Sequence, residues 1–119
     1  MTKLDVLNRI NVYDEDPGNS GGHKVGHLVD ITYNQLVDIL GEPTINKPSG
    51  DNKTQVEWIL DFDNDLGPEL FTIYDWKTYS EYETKNTLNY WSIGGTDSGI
   101  ASELEEYINK LKNEIKLPF

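Results

Sequence analysis

Residues 54–63, TQVEWILDFD, and residues 69–76, ELFTIYDW, decide the fold. In the first stretch Val56, Trp58, Leu60 and Phe62 alternate with Glu57, Ile59, Asp61 and Asp63, the period of a strand that buries one face. The second is rich in β-branched and aromatic residues, and the turn-forming stretch Asn64 to Pro68 joins the two, so they predict an antiparallel hairpin. Upstream, Thr32 to Leu40 predicts a helix. Thr32 and Gln35 have the spacing of a capping box, Gly41 and Pro43 end the helix, and Tyr33, Leu36, Val37 and Leu40 form its apolar stripe. Downstream, residues 77–89 (KTYSEYETKNTLN) read as a polar excursion and Tyr90 to Ile93 as a third strand. Ile100, Leu104, Ile108, Leu111 and Ile115 mark a second helix over about Gly99 to Lys116, capped by Asp97 or Ser98. The expected class is α+β: a small antiparallel sheet of three to five strands with two helices packed on one face. The chain reads as a single domain over 1–119. Residues 30–116 form its body, and residues 1–29 form an N-terminal arm and glycine-rich loop. Within that arm, Leu4, Leu7 and Ile10 fit a helix while Val6 and Val12 fit a strand, so its type stays open; residues 13–26 (YDEDPGNSGGHKVG) read as an irregular loop.

Against this frame the charge is one-sided. Asp and Glu number 21 and Lys and Arg 10, for a net charge of -11. Such a surface repels nucleic acid and anionic membrane at long range, so broad phosphate-backbone or membrane binding is not expected. The absence of cysteine removes disulfides, thiolate catalysis and sulfur-ligated zinc. No apolar run reaches the length of a membrane span, and the first residues do not resemble a secretion signal, so a cytoplasmic protein is expected.

Chemistry concentrates in two stretches. WSIGGTDSG, residues 91–99, runs from a strand through Gly94 and Gly95 to Thr96 and Ser98 at a helix start. Backbone freed of side chains, two hydroxyls and unpaired N–H groups there suit a phosphate. The same residues also serve a tight turn in which Asp97 caps the helix. In IYDWK, residues 73–77, Tyr74, Trp76 and Lys77 reach the end of a strand near Trp91, where aromatic rings beside a cation suit a base and a phosphate; core packing is the alternative use of the rings. The ligand-binding set is therefore Tyr74, Trp76, Lys77, Trp91, Gly94, Gly95, Thr96 and Ser98.

Other clusters point to ordinary structure. Asp61, Asp63, Asp65, Gly67 and Glu69 echo a calcium loop, but the glycine falls one place late and Thr72 stands where the closing glutamate belongs, leaving an acidic hairpin turn. His23 and His27 lie among glycines that oppose the helix needed to pair them on a metal. Ser20, His23 and Asp16 share one loop and cannot preorganise a triad. No metal, cofactor or catalytic residue is expected, and the protein reads as a non-enzyme. Glu57, Asp61, Asp63, Asp65, Glu69, Asp75, Glu81 and Glu83, against Lys77 alone, raise a second prospect: an acidic face that imitates nucleic acid in the basic cleft of another protein.

Taken in order, ITYNQLVDILGEPT, VEWILDF, FTIYDWK and WSIGG before a final helix resemble a family of small accessory proteins of bacteriophages and large DNA viruses, over residues 30 to 112. The resemblance brings no activity with it. It implies a viral or prophage accessory protein. Small non-enzymatic proteins of that kind commonly antagonise host defence in the host cytoplasm, and the 94–98 turn beside Tyr74, Trp76 or Trp91 fits sequestration of a small nucleotide signal, with Lys77, Arg9 and Lys24 offsetting the negative charge. The alternative is an acidic inhibitor of a basic host defence protein. The expected partners are accordingly a small nucleotide or a basic host protein, without direct nucleic-acid or membrane binding, and a homo-oligomer is compatible with either. The helix, the Gly41-Glu42-Pro43 turn and the tryptophan strand are also similar to outer-membrane assembly lipoproteins of the BamE type, from which this chain departs in having no cysteine to lipidate.

Overall fold

The structure, a computed structural model, describes residues 9–18, 22–50, 53–78 and 80–115. Among these residues five strands and three helices follow in the order β1 (Ile10–Val12), β2 (His23–Val29), α1 (Tyr33–Leu40), β3 (Glu57–Asn64), β4 (Gly67–Tyr74), α2 (Glu81–Asn86), β5 (Tyr90–Gly95) and α3 (Ser98–Ile115). The strands form one antiparallel sheet in the order β1-β3-β4-β5-β2. This is the expected α+β class, with three helices among the described residues.

The β3–β4 hairpin is the spine. Its register runs from Glu57↔Tyr74 to Asn64↔Gly67, so only Asp65 and Leu66 turn the chain. Asn64 holds that turn, accepting from Leu66 N–H at 2.9 Å and donating to Gly67 O at 2.7 Å, while Gly67 takes φ 106°, a value that suits glycine. Trp58, Leu60, Phe62, Phe71 and Ile73 then share one face with Trp91 and Ile93 of β5. Leu36, Ile39 and Leu40 of α1 and Ile100, Leu104, Ile108 and Leu111 of α3 cover that face. Burial of this apolar set, about 25 cal/mol per Å², is the main drive to fold.

The helix ends follow the sequence. Gln35 N–H donates to Thr32 Oγ1 at 3.2 Å, and Thr32 N–H donates back to Gln35 Oε1 at 2.9 Å. Gly41, at φ 85°, closes α1 with its N–H on Val37 O. Trp58 donates its indole N–H to Gly41 O at 2.9 Å, tying the hairpin to that helix end.

Three stretches depart from the sequence reading. Residues 23–29, assigned in part to the irregular loop, form the edge strand β2, and Ile10–Val12 form the opposite edge, so the supposed arm supplies both borders of the sheet. The excursion after β4 contains α2, which begins at the Ser80 cap. The third strand runs on through Gly94 and Gly95. The reading of residues 1–8 lies outside the described residues, as does Ser20. No helix among the described residues is long and apolar enough to cross a membrane.

Candidate binding face

The described helices take one side of the sheet, and on the other side cross-strand register decides which residues adjoin. Glu57 pairs with Tyr74, Tyr74 with Ser92 and Ser92 with His27; one row along, Ile59 pairs with Thr72, Thr72 with Gly94 and Gly94 with Lys24. Two adjoining depressions open there and share Tyr74. One, of about 290 Å³, is lined by Lys24, Tyr74, Trp76 and Ser92. The other, of about 190 Å³, is lined by Gly22, His23, Glu57, Thr72, Tyr74, Gly94 and Gly95. Together they reach the roughly 300–1,000 Å³ of ordinary ligand sites.

The first depression is cationic and aromatic. Trp76 is 52% exposed and meets the edge of the Tyr74 ring at 6.3 Å. Lys53 Nζ and Lys77 Nζ stand 5.6 and 5.8 Å from the Trp76 ring centre, within cation–π range. Lys77 N–H donates to Lys53 O at 2.7 Å, which fixes the two lysine-bearing segments together, and Lys77 itself sits at φ 58°. Lys24 Nζ lies 4.9 Å from the Tyr90 ring centre and donates to its hydroxyl, and His27 stacks on the same ring at 5.4 Å.

The second depression carries a carboxyl. Burial holds Glu57 above the ordinary carboxylate range; the nearby Asp16 charge pushes the same way, and a hydrogen bond from Thr72 pulls against both. Burial likewise raises the Tyr74 phenol, opposed by Lys24, so its hydroxyl stays a donor across the physiological range.

Asp75, between Tyr74 and Trp76, sits in the interior. Its carboxylate is fully buried and accepts from Gln55 N–H at 2.8 Å, Val56 N–H at 3.0 Å, the Thr84 hydroxyl at 2.7 Å and the Thr78 hydroxyl. This knot joins the approach to β3, the exit of β4 and α2. It also fixes the point at which the chain leaves the sheet and Trp76 emerges.

The structure brings together Tyr74, Trp76, Lys77, Gly94 and Gly95 of the sequence-expected set and separates the rest. Trp91 has no exposure; it faces the helices opposite Leu28, and its indole N–H donates to Ile31 O at 2.9 Å. Thr96 and Ser98 flank a helix start already occupied by the chain's own carboxylate, since Ile100 N–H donates to Asp97 Oδ1 at 3.0 Å. An oxyanion at that turn would have to displace Asp97, so the turn is a capped helix start and not a phosphate cradle. Lys53, Glu57, Thr72 and Tyr90 join the face without having been singled out for it. For Glu57 and Thr72 the signal was available in strand parity: both share the side of Tyr74.

The acidic residues are divided between surfaces: by strand alternation Glu57, Asp61 and Asp63 share one side of β3, and the others do not all join them. Asp75 is interior, Asp61 accepts from the Tyr13 hydroxyl at 2.8 Å, and Glu69 pairs with Phe62 on the opposite side from Glu57. A further depression of about 480 Å³, between Asp14–Asp16 and Thr44–Lys47, has three carboxylates against one lysine and suits an anion poorly. No family model, curated protein or solved structure matches the chain.

Proposed function

We propose that this protein is a binding module for a small nucleotide, held on the open face of the sheet without turnover. The observation that carries this reading is the surroundings of Trp76. An exposed indole stands among Lys24, Lys53, Lys77 and Tyr74 in a chain that otherwise carries two acids for every base. A planar ring can stack on the indole or phenol, with about 1–3 kcal/mol per stacked base, while the lysines receive the phosphate as charge-assisted hydrogen bonds. Asp75, between the two rings in sequence, is committed to the interior and is not offered to a ligand. The phosphate position is accordingly assigned to the lysines rather than to the turn at residues 96–98.

In biological form this would be a sponge: joined to the motif resemblance, which implies an accessory protein of a phage or large DNA virus, the binding face would withhold a nucleotide signal from host defence. Calorimetric titration with mono-, di- and cyclic nucleotides tests it. At least one should bind and stabilise the protein, and Trp76→Ala should reduce that stabilisation. A panel in which no nucleotide shifts the melting temperature would overturn the proposal.

A further inference from the structure

We infer that the nucleotide preferred by this face is a guanine nucleotide, with its base beside Glu57, its phosphate beside Lys24 and the Tyr74 ring between them. This rests on the nucleotide reading above and adds the identity of the base and the direction in which the ligand lies.

The two depressions have opposite polarity. The one at Trp76 is edged by the Lys24 ammonium, with Lys53 and Lys77 around the indole; the one beneath Gly94 contains Glu57 as its charged acceptor. A ligand spanning both must be anionic at one end and offer N–H donors at the other. A phosphate placed at the Glu57 end would meet a carboxylate of like charge, so the direction is fixed.

The base then follows from hydrogen-bond inventory. An ionised carboxylate is an acceptor at both oxygens. Guanine presents two adjacent donors, N1–H and the N2 amino group, on its pairing edge, and these match the two oxygens. Adenine and cytosine present one amino group beside a ring nitrogen acceptor, and uracil one N–H between two carbonyls, so each would set an acceptor against a Glu57 oxygen. One matched pair of this kind separates bases by about 1–3 kcal/mol, which is about 5- to 150-fold.

The surroundings of Glu57 suit this role. Its register partner is Tyr74, so carboxyl and phenol ring lie side by side on the sheet. Thr72 lines the same depression and favours the ionised form of the carboxyl. Gly94 keeps the sheet surface flat between Thr72 and Tyr74, since a Cβ there would lie 2.6 Å from Thr72 Oγ1 and 3.2 Å from Tyr74 Cε1. Partial burial leaves the carboxylate short of water and receptive to a pair of donors.

The test is calorimetry of the full chain with GMP, AMP, CMP and UMP, repeated on Glu57→Gln, Glu57→Asp and Trp76→Ala, each checked for an intact fold by thermal melt. GMP should bind about 10-fold or more tightly than the other three. Glu57→Gln, which replaces one acceptor with a donor, should remove the GMP preference and bring GMP and AMP to within about twofold of each other, because the amide now suits adenine's amino group and ring nitrogen. Glu57→Asp, which withdraws the carboxylate by one methylene, should lose most of the preference, and Trp76→Ala should weaken all four. Four nucleotides within twofold of one another would overturn the guanine assignment and leave the nucleotide reading standing. A GMP preference that survives both Glu57 variants would overturn the role of Glu57 and with it the assignment, and binding of none of the four would overturn both readings.

Discussion

Asp75→Ala is the substitution with the largest expected effect, and its size follows from the donors it would strand. The carboxylate, with no exposed surface, takes two backbone N–H groups, from Gln55 and Val56, and two hydroxyls, from Thr78 and Thr84. The hydroxyls lie 2.9 Å apart and can pair with each other once the carboxylate is gone. The two amides have no such recourse, and each buried unsatisfied donor costs about 1–3 kcal/mol. Water entering the space would recover part of that. The expected loss is therefore about 3–4 kcal/mol, a large share of the roughly 5–15 kcal/mol that holds a domain of this size. Urea unfolding followed by far-ultraviolet circular dichroism and tryptophan fluorescence measures it directly, with the midpoint falling at unchanged slope. Asp75→Asn should fall between, because the amide keeps one acceptor but turns its NH₂ toward a donor. The knot also sets where Trp76 leaves the sheet, so nucleotide affinity should fall in the alanine variant even at temperatures where it is folded. A loss below about 1 kcal/mol in Asp75→Ala would show that the knot is already open to water and would refute the reasoning.

Three further outcomes are expected. Trp76→Ala should cost less than about 1 kcal/mol of stability, because the indole is half exposed, while nucleotide affinity drops about 2- to 30-fold as the ring that holds Lys53 and Lys77 by cation–π contact is lost; melting curves and calorimetry on one sample separate the two effects. The Glu57 pKa is raised in the fold above its value of 4.5, so its contribution to stability is present below pH 4.5 and is lost as pH rises through the folded value. Glu57→Gln should therefore be more stable than the parent at pH 7 and equal to it below pH 4, and a variant less stable at pH 7 would contradict the sign. Asp97→Ala should cost about 0.5–2 kcal/mol through loss of the α3 cap and leave nucleotide affinity unchanged, which urea unfolding and calorimetry check together; tighter binding in this variant would return the phosphate to the helix start.

What the sequence disclosed depended on whether an element carries its own pattern. The hairpin did, because Trp58, Leu60 and Phe62 alternate with polar residues, and α1 did, because Thr32, Gln35 and Gly41 mark both ends. The edge strand β2, HKVGHLV, does not: Leu28 is its one fully buried side chain, and Gly26 lies so close to α3 that a Cβ would come 2.7 Å from Glu105 Oε2. Close approach of a helix, rather than alternation, selects that glycine. Helix α2 is six mostly polar residues whose buried anchor, Thr84, is held by Asp75 from nine residues earlier, a tertiary bond with no local signature. The tryptophans separate for a similar reason. Trp91 lies opposite Leu28 in a register that only the assembled sheet defines, whereas Trp76 falls beyond the end of β4. The candidate face was therefore half legible: Tyr74, Trp76 and Lys77 adjoin in sequence, but Lys24, Lys53 and Glu57 are brought to them from three other segments.

The overall charge of -11 and a site for an anion are compatible because they act over different distances. At physiological ionic strength the Debye length is about 8 Å, against a radius of gyration of 13.5 Å. Carboxylates on the helix side of the molecule are thus largely screened from a ligand on the open face, while Lys53 and Lys77, within 6 Å of the Trp76 ring, act on it directly. Net charge governs how fast an anion arrives, and the local arrangement governs how long it stays. Added salt should then have two separable effects on nucleotide binding. It should raise the association rate by screening the bulk repulsion, and raise the dissociation rate by weakening the lysine contacts. Stopped-flow measurement of the Trp76 fluorescence change resolves them. If salt slows association instead, the field at the mouth of the site is positive, and the lysines extend their influence beyond the contact distances on which the site has been built.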